Sequence, residues 1–255
     1  MADDPTARFA ALTARPGGDW PLDEALLLVA AHAQPDLDVE AELARLDALA
    51  DGVPDRSFDG VRLHLFDELG FAGDRATYHD PRNSFLPDVL DRRLGIPISL
   101  AILAMEVGRR CGVGIVGIGL PGHFVARSTS EPDRYLDAYD GGRELDGDGC
   151  RALVERLMPG LPWHEDLLAP VDAPAIVTRV LANLAGAYRR AGDRRALCWV
   201  LRLRLELPGA SPQERRELGV LLGASGRFGE GAVVLEASPD DREQEAAARL
   251  RARLN

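Results

Sequence analysis

The chain has 255 residues, of which 46% are hydrophobic and only 5% aromatic, and its formal net charge is −11. That length suits one large or two modest domains, with Leu, Ala and Val filling the core. An acidic chain repels phosphate backbones, which argues against general nucleic-acid binding, and no apolar run reaches the ~18 residues of a membrane span.

Residues 1–70 read as helices. Trp20-Pro21-Leu22-Asp23 opens one that carries Leu26, Leu27, Val29 and Ala30. Asp36 is placed to cap the next, striped by Leu43, Leu46, Leu49 and Ala50. A third runs through Val61, Leu63, Leu65 and Phe66 to Leu69, where Gly70 stops it. The polar run Tyr78-His79-Asp80-Pro81-Arg82-Asn83 is turn-like. Ser84 then stands as the cap of a helix with Pro87 in its first turn, and Gly95 ends it. A buried helix is predicted from about Pro97 to Arg110, with proline at the first helical position, where its missing N–H has no helical partner anyway.

The period then changes. Ile115–Leu120, Phe124–Arg127 and Tyr135–Tyr139 read as strands, with Ser128–Asp133 as the turn between the last two. Gly141-Gly142 closes this region, and a short helix follows from about Cys150 to Met158. Pro159–Pro174 marks a domain boundary. From Ala173 onward the pattern is helical. Leu184, Tyr188 and Gly192 recur as Leu218, Leu222 and Gly226, a spacing of 34 residues, which is the tetratricopeptide (TPR) period. Such helix pairs bind a protein surface or pack against a neighbouring domain.

Cys111, Cys150 and Cys198 show no zinc-binding spacing. An odd count, with an acidic start at Met1 that lacks an apolar leader segment, fits a reducing, cytoplasmic setting. Two GxGxxG strings begin at Gly112 and Gly117. The dinucleotide fingerprint needs a strand before it and a helix after it, whereas here a helix precedes and strands follow, so these glycines are read as belonging to turns and strands. His123 and Asp137 stand opposite one another if the turn is centred on Ser130, and then share a sheet face. A carboxylate beside an imidazole fixes its tautomer and raises its basicity, as in triad enzymes. A structural His–Asp bond is the alternative. A nucleophile belongs near Pro97, because a helix N-terminus lowers a thiol's pKa.

The run Tyr78-His-Asp-Pro-Arg-Asn-Ser-Phe-Leu86, then Val89-Leu90, Gly95-Ile-Pro-Ile-Ser-Leu-Ala101, Leu120-Pro-Gly-His-Phe-Val125 and Leu136-Asp137 resembles the bacterial SirB-like transglutaminase-core family. Arg179-Val-Leu-Ala-Asn-Leu184, Tyr188 and Glu214–Gly219 are similar to that family's TPR-like tail. The resemblance implies a Cys–His–Asp triad, with the His position on His123 and the Asp position on Asp137. The cysteine position falls on Pro97. At ~100° per helical residue, Ser99 points about 200° away from position 97. If Pro97 is the first helical residue, Ser99 is the third and replaces the thiol only if the backbone moves. The resemblance also implies a regulatory role, since the family is associated with bacterial virulence-gene regulation.

The expected fold class is α+β, predominantly helical. It comprises an N-terminal helical part (1–70), a papain- or transglutaminase-like core with a helix on a small antiparallel sheet (71–160), and TPR-like helical hairpins (173–255). One reading is a transglutaminase-like protein without its catalytic cysteine, acting as a protein-binding or regulatory scaffold. The alternative is a hydrolase or acyltransferase using His123, Asp137 and Ser99. Pro97, His79 and Asn83 are expected to line the cleft. A protein or peptide partner is expected through the tail or the cleft, with no cofactor, metal, nucleic acid or membrane.

Overall fold

The computed structural model describes residues 4–15, 17 and 20–254, so the first three residues of the acidic start lie outside the described residues. Three helices come first: α1 (Pro5–Thr13), α2 (Leu22–Ala31) and α3 (Val39–Asp51). The cap of α3 is Asp38, not Asp36: its carboxylate accepts from Glu40 and Ala41 N–H. α4 (Phe58–Arg62) widens into a π-helical turn over Leu63–Glu68. Gly70, with a positive φ of 74°, stops it, as a residue without Cβ does at little cost. The two-residue strand β1 (Ala72–Gly73) pairs in parallel with β2 (Leu94–Gly95). Between them lie a 3-10 turn (Pro81–Ser84) and α5 (Leu86–Arg92). Ser84 sits inside that turn and does not cap α5. The residue before α5 is Phe85, and left-handed Arg93 ends the helix before Gly95 is reached.

α6 (Pro97–Cys111) is the central helix. Ile98, Leu100, Ala101, Ile102, Leu103, Ala104 and Val107 are all buried, so α6 is apolar nearly all round, which is the pattern of a helix enclosed on every side. Each buried Leu or Ile side chain contributes about 1.5–3 kcal/mol. α6 packs on α3, α5 and a four-stranded antiparallel meander. The meander is β3 (Ile115–Ile118), β4 (Val125–Ser128), β5 (Tyr135–Asp137) and β6 (Arg143–Leu145), paired in that order. The expected third strand is shorter than predicted, because the chain turns into a 3-10 helix at Ala138–Asp140.

Alternate residues serve two cores. Ala126 and Leu136 join the main core with α6, while Val125 and Tyr135 join a second core with Cys150, Leu153 and Val154 of α7 (Gly147–Leu157). The remaining helices are α8 (Ala173–Ala191), α9 (Arg194–Leu205), α10 (Pro212–Ala224), α11 (Phe228–Glu236) and α12 (Asp241–Arg251). α8 packs on α2, α6 and the 3-10 turn, and the main core runs without a break from Phe9 to Leu222. The fold is therefore a predominantly helical α+β fold with a small antiparallel sheet and a two-stranded parallel pair among the described residues. No helix among the described residues is long and apolar enough to cross a membrane.

Candidate functional site

His123 Nε2 lies 2.8 Å from Asp137 Oδ1, and both side chains are buried. A carboxylate only accepts, so Nε2 is the donor to Asp137 and Nδ1 is the ring nitrogen not engaged by it. The pair forms in a register different from the one the turn suggested. Ala126 pairs with Leu136 and Arg127 with Tyr135, which centres the turn on Glu131 and sets Asp137 across from Val125. His123 lies just before β4, in a turn where its N–H donates to Leu120 O. It reaches Asp137 diagonally, two residues from the directly opposed position. Asp137 Oδ1 also accepts from Asp140 N–H, so one carboxylate both caps the 3-10 turn and orients the imidazole.

A series of close approaches ties this pair to the start of α6. β2 leads into α6 through Gly95 and pairs with Gly73 of β1. The Tyr139 ring lies on Gly73, where an added Cβ would sit 2.4 Å from ring carbon Cδ2. Tyr139 donates to Asp74 O and stands edge-on to His123 at 6.0 Å between centroids. Tyr78 stands edge-on to Tyr139 in turn.

The loop beneath is rigidly wired. Burial opposes ionisation of Asp74, but hydrogen bonds from Thr77, Arg92 and Asn83 outweigh it and hold the carboxyl well below the usual carboxylate range. Asn83 was expected to line the cleft. Its side chain is instead wholly buried, donating to Thr77 O and accepting from Arg92. Pro97 is buried as the first residue of α6, whereas His79 is exposed.

Ser99 is the third helical residue, and its hydroxyl is committed. It accepts from Ile96 N–H at 3.0 Å and donates to Asn83 O at 2.6 Å, with Ile96 O as a second acceptor at 3.1 Å. Gly95 makes room for it, since a Cβ there would lie 2.7 Å from Ser99 Oγ. None of these partners is a base. The cysteines supply no substitute. Burial, reinforced by Asp137, pushes the Cys150 thiol up to about 12. Burial likewise raises Cys111 and Cys198. Among the described residues no group of three or more His, Cys, Asp or Glu could hold a metal ion. The glycine strings belong to a helix end and the sheet, with Gly112 closing α6 and Gly117 inside β3.

Sequence reasoning overlooked Tyr139 and Arg179. Arg179 on α8 donates to the carbonyls of Leu120 and His123 and lies over the Phe124 ring, clamping the turn that carries the imidazole. The only trace of this in the sequence is a cation beside the apolar stripe of Ile176, Val177 and Val180.

The profile of the transglutaminase-like superfamily matches residues 31–182. The chain belongs to the transglutaminase-like superfamily. A UPF0162 protein of Xylella fastidiosa is 35% identical over 194 residues, covering 70% of this chain and 69% of that protein. A UPF0162 protein of Pseudomonas aeruginosa is 34% identical over 181 residues, covering 68% and 66%. Human F-box only protein 21 is 29% identical over 143 residues, which is 52% of this chain but 22% of that protein. No solved structure matches. The superfamily match spans His123, Asp137 and the first half of α8, so Arg179 lies within it.

Proposed function

We propose that this protein is a SirB-like member of the superfamily that lacks a nucleophile and works as a protein-binding or regulatory scaffold. Its cleft recognises a peptide or amide group, and its TPR-like tail holds a partner. The observation that carries this reading is the start of α6: Pro97 occupies the first helical position, and the Ser99 hydroxyl is spent on the backbone of Ile96 and Asn83. An activated hydroxyl needs its base within hydrogen-bond reach, and this one is bonded elsewhere. His123 and Asp137 persist as a base and its orienting partner with nothing to deprotonate.

Two measurements test this. Purified wild-type chain is expected to show no turnover of peptide, amide or ester substrates that depends on His123. The Pro97→Cys variant is expected to give a thiol that alkylates faster at neutral pH than free cysteine, and the added replacement His123→Ala is expected to slow it. Turnover by wild type that disappears in His123→Ala would overturn the reading and favour a hydrolase.

A further inference from the structure

Between the 78–84 loop and α8 lies a pocket of about 140 Å³, lined by Tyr78, His79, Ile96, Asn183, Gly186 and Arg190. Pockets that hold a whole small molecule measure roughly 300–1,000 Å³, so this volume suits one side chain or chain end of a larger ligand. Ile96 directly precedes Pro97, which places the pocket beside the start of α6.

Its charge is unbalanced. Most arginines of this chain pair with carboxylates, and the neighbouring Arg189 binds Glu217 through two bonds. Arg190 has no such partner among the described residues. Arg179, on the same face of α8, bonds only to carbonyls. The one acid lining the pocket, Asp80, is already neutralised by a forked contact from Arg82. The Tyr78 hydroxyl and the Asn183 amide likewise have no hydrogen-bond partner among the described residues.

Gly186 is the second observation. It sits inside a 19-residue helix, where glycine costs stability relative to alanine. Packing does not demand it, because an added Cβ would meet nothing within 4 Å. A backbone left bare at a helix-weakening cost fits a ligand that comes close to it.

We propose that this pocket receives a carboxylate borne by a peptide, as an acidic side chain or a free C-terminus, with Arg190 as its ion partner, Asn183 and Tyr78 as donors, and Gly186 as the point of closest approach. The proposal rests on the peptide-binding reading of the cleft and names what the cleft selects.

The test uses the full chain and three alanine-based peptides. One carries a glutamate and blocked ends, one carries glutamine and a free C-terminus, and one carries glutamine and blocked ends. Calorimetry is expected to show at least one charged peptide binding about tenfold or more tighter than the neutral one, in line with a charge-assisted contact. The first two peptides tell side chain from terminus. Arg190→Gln is expected to abolish the preference. Gly186→Ala is expected to weaken the preferred peptide about tenfold while raising the melting midpoint by about 1–4 °C, a combination that a merely structural glycine would not give. Equal binding of all three peptides, a preference that survives Arg190→Gln, or no binding at millimolar peptide overturns the proposal. If the neutral peptide alone shifts the NMR signals of the His123 ring, the pocket assignment fails and the cleft reading stands. If no peptide either binds or shifts them, both fail.

Discussion

Replacing Ser99 by alanine separates a structural hydroxyl from a catalytic one. The substitution removes one oxygen and leaves two backbone groups without this partner: the Ile96 N–H, 3.0 Å from Oγ, and the Asn83 carbonyl, 2.6 Å from it. Ile96 and Asn83 are both buried, so water does not take over. A buried group left unsatisfied costs about 1–3 kcal/mol. With partial relaxation of the short 81–84 turn, the loss is about 3 kcal/mol in total. In a chain of this size about 1 kcal/mol moves the melting midpoint by roughly 2–4 °C, so a fall of about 6–12 °C is expected. Urea unfolding followed by both fluorescence and circular dichroism measures the loss directly, and an unchanged slope assigns it to the native state. A Ser99→Ala chain within about 0.5 kcal/mol of wild type, the range of an ordinary surface change, would refute the reasoning. Loss of a measurable turnover at unchanged stability would refute it too, and would return Ser99 to a catalytic role.

Further outcomes follow from the same geometry. Gly95→Ala places a methyl 2.7 Å from Ser99 Oγ and is expected to destabilise the fold by about 1–3 kcal/mol, read by the same unfolding curves. Mapping of native protein treated with a disulfide reagent at mild alkaline pH is expected to find Cys198 modified first, with Cys111 and Cys150 protected until unfolding, because only Cys198 is partly exposed. Glu230, held down to about 2 by Arg227 and Arg202 against an ordinary 4.5, contributes stability that is present above pH 4.5 and lost as the pH falls toward 2. The pair is largely exposed, so Glu230→Gln is expected to remove less than about 1 kcal/mol, seen as a shallower acid limb of the stability curve. Asp137→Asn is expected to destabilise the chain and to change the tautomer balance of the His123 ring, read from its ring-nitrogen NMR shifts, because the amide replaces the carboxylate that fixes the tautomer.

Local signals carried far in this chain. The all-round apolar run from Ile98 to Val107, with proline opening it and Gly112 closing it, is sufficient to predict the central helix, because burial and end chemistry are both properties of neighbours in sequence. Period-two alternation located β3 to β5, and the ordered motifs from Tyr78 to Asp137 marked the His123–Asp137 pair. The misses were of a different kind. β6 was absent from the reading because Arg143–Leu145 is too short and too polar to show a pattern, and pairing with β5 alone makes it a strand. Ser84 had the chemistry of a helix cap, but a 3-10 turn reached it first. The turn centre moved by one residue, and the meander register therefore by two, because a turn's centre depends on which bonds its residues make, here Ser128 Oγ with Glu131 N–H and Glu131 O with Arg134 N–H. Arg179 and Tyr139 entered the site only through tertiary contact. Both act on His123 from far along the chain or from another element, and no spacing rule links a helix cation to a carbonyl 56 residues away. Residue types and their periods set the elements. The close approaches at Gly73 and Gly95, the commitment of Ser99 and the clamp from α8 arise from how those elements pack, where the sequence distance between partners no longer matters.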